Sequence, residues 1–117
     1  MKLRCMRTTV LAATAALLLA SPLVKAVDAE AATALAKQNN CFKCHSLEKD
    51  KNGPAYKKVA EKNRGKDDAE ARLIEHVTTG KKVKFPDGHE EDHKIVETSP
   101  PQDMEQIKNL VDWILSL

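Results

Sequence analysis

The clearest hydrophobic pattern lies at the end of the chain. Ile107, Leu110, Val111, Ile114 and Leu117 recur at the spacing of one helical face, with Trp113 beside them, and Asp103 and Gln106 frame the start of that helix. An Ala-rich run from Ala29 to Lys37 follows the capping residue Asp28 and carries one large apolar side chain, Leu35. Alanine gives this segment high helicity and a slim profile, so it predicts a helix that approaches a neighbour closely and ends at Asn39-Asn40. Tyr56, Val59 and Ala60 mark one face of a short helix, with Pro54 at its first position and Gly65 at its C-terminal cap. Leu73, Ile74 and Val77 form the stripe of a third helix, opened by an Asp67–Glu70 capping box and closed by Gly80.

The pattern changes after Gly80. Val83 and Phe85 alternate with lysines, Pro86-Asp87-Gly88 is a turn signal, and Lys94-Ile95-Val96-Glu97 follows the polar run His89 to His93. This stretch reads as a small hairpin or an irregular flap. The whole predicts an all-α domain of four to five short helices with one elongated loop.

Residues 1–26 stand apart from that fold. Lys2, Arg4 and Arg7 precede a short apolar run, Val10 to Ala20, which Ser21-Pro22 breaks before Val24-Lys25-Ala26. That is the pattern of a cleaved secretory signal peptide, too short for a convincing membrane span. Cleavage after Ala26 leaves residues 27–117 as one domain of 91 residues. It removes Cys5 and four of the 19 basic residues but none of the 17 acidic ones, turning a net charge of +2 into −2. Interspersed charges of this balance read as a solvated surface and carry no nucleic-acid signature. Phe42, Tyr56, Phe85 and Trp113 are the only aromatics of that domain. So small a core commonly needs a covalent or metal staple.

Asn40-Cys41-Phe42-Lys43-Cys44-His45 supplies one. C-x-x-C-H is a c-type haem attachment pattern. Cys41 and Cys44 can each form a thioether to one porphyrin, and His45 is carried beneath the iron as proximal ligand. The adjoining histidine, the secretory context and the lack of a second cysteine pair weigh against a thioredoxin-like motif or half a zinc site. A covalent porphyrin would add apolar mass and a cross-link, and it would use both remaining cysteines.

With these residues in place, the chain resembles the monohaem class I cytochromes c of the small bacterial periplasmic type. The resemblance covers most of residues 29–117. It rests on Asn40 to His45, on Gly53-Pro-Ala-Tyr-Lys57, on the helix ending at Gly80, and on Asn109 to Leu117. It implies a cytochrome c fold with the first helix crossing the last near Trp113, and one covalent haem c. It also implies that the Pro54 carbonyl accepts a hydrogen bond from Nδ1–H of His45, which would fix the ligand's tautomer and orientation. The resemblance further implies electron transfer with redox partner proteins in the periplasm, without stable membrane insertion after signal cleavage, without nucleic acid and without catalytic residues. Lys43, Lys81, Lys82 and Lys84 are candidates for the charged rim of the haem edge. Oligomeric state is left open.

Two departures from the family pattern matter. Family members carry a distal Met ligand just before a Pro-rich segment, but Thr98-Ser99-Pro100-Pro101 has none, and the loop before it is longer. Phe85 stands where close relatives have a Trp that contacts a haem propionate. The distal ligand should therefore come from the long loop, and His93, beside the apolar Ile95-Val96, is taken as that ligand. His89, Met104 and an open iron are the alternatives. His76 reads as a rim histidine whose place near a helix C-terminus favours its protonated form. An open iron would instead point to a protein that binds a small gas ligand or has peroxidase-like activity.

Overall fold

The computed structural model describes Ser21 and residues 24–117; the expected signal peptide, apart from Ser21 and residues 24–26, lies outside the described residues. Four helices form among the described residues, in chain order: α1 Ala29–Gln38, α2 Tyr56–Asn63, α3 Ala69–Thr79 and α4 Met104–Leu115. A 3-10 turn, Cys41–Lys43, follows α1, and two short strands, β1 Lys82–Lys84 and β2 Glu90–Asp92, separate α3 from α4. None of the helices among the described residues is long and apolar enough to cross a membrane.

α4 is the axis of the fold, because α1, α2 and α3 all pack on it. Its helical stripe buries Ile107, Leu110, Val111, Trp113 and Ile114. Complete burial of such side chains is worth roughly 1.5–3 kcal/mol each. Asp103 caps α4 by accepting from the backbone N–H groups of Glu105 and Gln106. α1 offers Ala32, Leu35 and Ala36 to the same core, so its small residues do bring the two helices close. Asp28 caps α1 through Ala31 N–H. A second contact locks the pair: the Asn109 side chain accepts from Asp28 N–H at 2.9 Å and donates to Asp28 C=O at 2.8 Å.

Two helix starts differ from the sequence reading. α2 begins at Tyr56, not at Pro54, and its N-cap is Ala55. α3 begins at Ala69 with Asp68 as N-cap and no side-chain capping bond, so the Asp67–Glu70 box does not form. The Asp68 carboxylate is instead held by Arg72 Nε at 2.9 Å, one turn on.

The long segment after α3 is a hairpin. β1 and β2 pair antiparallel, with Lys82 opposite Asp92, Val83 opposite Glu91 and Lys84 opposite Glu90. Opposite charges thus face each other across the strands, which favours this register. The turn closes with Gly88 N–H bonded to Phe85 C=O at 2.9 Å. The return segment is then fastened at three backbone points. His93 N–H donates to Lys81 C=O at 2.9 Å, Val96 N–H to Val77 C=O at 2.9 Å, and Glu97 N–H to Asn39 Oδ1 at 2.8 Å. Gly80 permits this approach. It ends α3 with φ +63, and a Cβ there would sit 3.3 Å from the His93 carbonyl oxygen.

Candidate functional site

Cys41, Cys44 and His45 lie where α1 hands the chain to the 3-10 turn. Asn40 makes that corner in the left-handed conformation, φ 56, and the Cys44 and His45 N–H groups both donate to Cys41 C=O. The turn places the two cysteines three positions apart on one short curve, both half-buried and neither in a disulfide. Burial raises the Cys41 thiol above its ordinary value, with the neighbouring Tyr56 hydroxyl opposing that shift.

His45 is fixed on three sides. Its Nδ1 donates to the Pro54 carbonyl at 2.7 Å. Its ring stacks on Tyr56, with centroids 4.9 Å apart and planes at 20°. Gly53 closes a further side: a Cβ there would lie 2.5 Å from Cε1 and 2.8 Å from Nδ1 of His45. Any side chain at residue 53 would therefore displace the ring. Burial pushes the His45 pKa down, which favours a neutral imidazole, the form that ligates metals. With Nδ1 engaged by Pro54, Nε2 is left as the ligating atom. Tyr56 in turn meets Trp113 edge-on at 5.9 Å, so this histidine is braced against the α4 core.

The candidate distal residues separate clearly. The His93 ring faces His45 with centroids 6.2 Å apart. Its Nδ1 bonds Lys94 C=O at 2.8 Å, which again leaves Nε2 free. Two metal–nitrogen bonds of about 2 Å, plus the half-width of each ring, would span about 6 Å if one metal were held by both Nε2 atoms. The donor set and spacing therefore fit one haem iron between His45 and His93. His89 is elsewhere: at the hairpin tip it stacks on Phe85 at 4.3 Å and bonds Asp87 and Glu91. These two carboxylates raise its pKa above the ordinary imidazole value, Asp87 most. Met104 sits on the first turn of α4 and is 51% exposed.

Other expectations need correcting. His76, expected as a protonated rim histidine, lies against His93 with ring centroids 4.4 Å apart. Burial, then the nearby His93 and His45 rings, lower its pKa, so the neutral form is favoured despite the helix C-terminus. Of the candidate rim lysines, Lys81 pairs with Glu75 at 2.9 Å and Lys82 with Asp92 at 3.1 Å. Lys43 and Lys84 make no ion pair among the described residues. Sequence reasoning gave Asn39 only the end of α1 and missed its long-range role. Its buried amide donates to Leu35 C=O and Glu97 C=O while accepting from Glu97 N–H, tying the residue before the haem motif to the segment that carries His93.

Comparisons with known proteins place the chain in a family. Residues 29–117 match the cytochrome c family. The crystal structure of class 1 cytochrome MtoD from Sideroxydans lithotrophicus ES-1 is 66% identical, with a TM-score of 0.72, and the match covers 78% of this chain and 97% of that one. Cytochrome c2 of Rhodocyclus tenuis is 35% identical over 85 residues, 73% of this chain and 90% of that protein. Cytochrome c-552 of Nitrosomonas europaea is 44% identical over 61 residues, which span 52% of this chain and 59% of that relative's length. The attachment cysteines and the braced histidine, set within a helical fold shared with these proteins, make this chain a monohaem class I member of the cytochrome c family, with one covalently attached haem c.

Proposed function

We propose that this chain is a periplasmic electron carrier whose haem is attached through Cys41 and Cys44 and whose iron is held between His45 and His93. Haem-based electron transfer with redox partners is the function of the family to which it belongs. The observation that carries the finer reading is the His93 ring facing His45 at 6.2 Å, with Nε2 free on both. Exposure of Met104 and the lack of a methionine before Pro100-Pro101 support it.

When bound, the haem supplies a one-electron Fe(III)/Fe(II) couple. The chain's own residues do the rest. Pro54, Gly53 and Tyr56 hold the His45 ring in place, and the Pro54 hydrogen bond increases its basicity as a ligand. His93, held through its own N–H and that of Val96, would supply the second imidazole to the iron. Two protein ligands on the iron would leave no place for a substrate. The neutral thioether of a Met ligand raises the potential, so two histidines should give a lower potential than a His–Met pair.

Exchange of the ligand candidates tests this reading. In the holoprotein, His93→Ala should produce a high-spin component and let the reduced form bind CO, while Met104→Leu and His89→Ala leave the spectrum unchanged. A high-spin Met104→Leu protein with an unaltered His93→Ala protein would refute it. Ready CO binding by the unmodified protein would favour the alternative, an open distal site for a small gas ligand or peroxidase-like activity.

A further inference from the structure

We propose that His76 is the positioning residue of the distal ligand, its imidazole packing on the His93 ring and holding that ring where it faces His45. The inference rests on the reading of His93 as the ligand. His93 lies in a segment that belongs to no helix or strand. Its Nδ1 partner is the carbonyl of Lys94, its own neighbour, so that bond sets the ring only relative to its own segment.

The fixed support comes from the end of α3. The carbonyls of Val77, in its last turn, and of Lys81, just past Gly80, receive Val96 N–H and His93 N–H and so hold the segment at His93 and three residues on. His76, in the last turn of the same helix, meets the His93 ring at 4.4 Å with planes tilted by 48°. His45 approaches from elsewhere, at 6.2 Å. The His93 ring therefore packs on a second imidazole as well as facing the one it must oppose. Backbone anchors fix the Cα of His93; rotation about its side-chain bonds is restrained by contacts on the ring itself, the Lys94 hydrogen bond from its own segment and the His76 ring from α3. A tilted aromatic contact does so without needing a donor or acceptor from either partner.

The test uses ferric holoprotein with His76→Ala and His76→Phe, beside His93→Ala. Two readouts follow the ring: the g-anisotropy of the low-spin iron, which depends on the orientation of the axial imidazole planes, and the rate of cyanide entry, which requires His93 to leave. His76→Ala should stay low-spin, change its g-values and admit cyanide about tenfold faster, the size expected for loss of one aromatic contact. His76→Phe, which keeps a ring of similar breadth, should restore most of the slow rate. Thermal unfolding of both variants shows whether a change in entry rate merely follows a change in stability. Cyanide entry and g-values unchanged in His76→Ala, with His93→Ala opening the site, would overturn the positioning role while leaving the ligand assignment intact. A rate that rises equally in both His76 variants, in step with lost stability, would also overturn it. Opening of the iron in His76→Ala but not in His93→Ala would overturn both, making His76 itself the ligand.

Discussion

Replacing Asn39 by alanine should loosen the distal side of the protein from a distance. Asn39 is 3% exposed, and its side chain forms three hydrogen bonds, to Leu35 C=O at 3.0 Å, to Glu97 C=O at 2.9 Å and from Glu97 N–H at 2.8 Å. The Leu35 carbonyl keeps the Asn39 backbone N–H at 3.0 Å whatever the side chain, so that loss is small. The two Glu97 groups lose their only partners in a part-buried place that water can reach. At roughly 0.5–1.5 kcal/mol for each net hydrogen bond, the expected loss is about 1–3 kcal/mol. Asn39→Asp should cost more at neutral pH, because it turns a carboxylate oxygen toward the two carbonyls that the amide N–H groups now serve. Guanidinium unfolding of the holoprotein, followed by Trp113 fluorescence and by haem absorbance, measures the loss, and amide exchange at Glu97 locates it. A change in stability within about 0.5 kcal/mol, the range of ordinary surface substitutions, together with unaltered exchange at Glu97, would refute the reasoning.

Other perturbations have equally definite outcomes. Gly53→Ala would put a Cβ 2.5 Å from His45 Cε1, with Tyr56 blocking retreat on the stacked face, so overpacking should cost about 1–3 kcal/mol and shift the haem spectrum; an unshifted spectrum and melting curve would contradict it. Trp113→Ala removes a side chain 6% exposed and its edge contact with Tyr56, for an expected loss of about 3–5 kcal/mol by denaturant melting. The hairpin tip should depend on pH. His89 has its pKa raised by Asp87 and Glu91, so its contribution is complete below the ordinary value of 6.5 and is lost as pH rises through the higher folded-state value. NMR titration of His89 together with amide exchange at Gly88 and His89 follows this loss, and exchange independent of pH beyond its intrinsic dependence would count against it.

The elements that were legible in the sequence are those whose signals are local. The α4 stripe, the Asp28 and Asp103 caps and the Gly80 stop depend on residues a few positions apart, and each forms as expected. The α3 start was misplaced by one residue, because two adjacent aspartates compete and Asp68 commits its carboxylate to Arg72. Pro54 was assigned to a helix because proline suits a first turn, but its carbonyl points at His45 and the helix waits until Tyr56. The hairpin showed only as alternation around a turn, since its register depends on cross-strand charge pairs. Of the site, the C-x-x-C-H cluster was plain. The surroundings of His93 were not, because they are built from residues remote in the chain: His76 on another element, and Asn39, which reaches Glu97 across 58 positions. No pattern of neighbouring residues signals that an asparagine before the haem motif will pair with a backbone so far along the chain.

The central claim is that His93 stands opposite His45 on one haem iron. The near-infrared magnetic circular dichroism spectrum of the ferric holoprotein reads the two axial ligands directly. Ligation by His45 and His93 gives the low-spin spectrum of two nitrogen ligands, without a methionine–iron charge-transfer band. A methionine–iron band would assign the position to Met104, the only Met of residues 27–117, and a high-spin spectrum would mean an open site; either result would contradict the account.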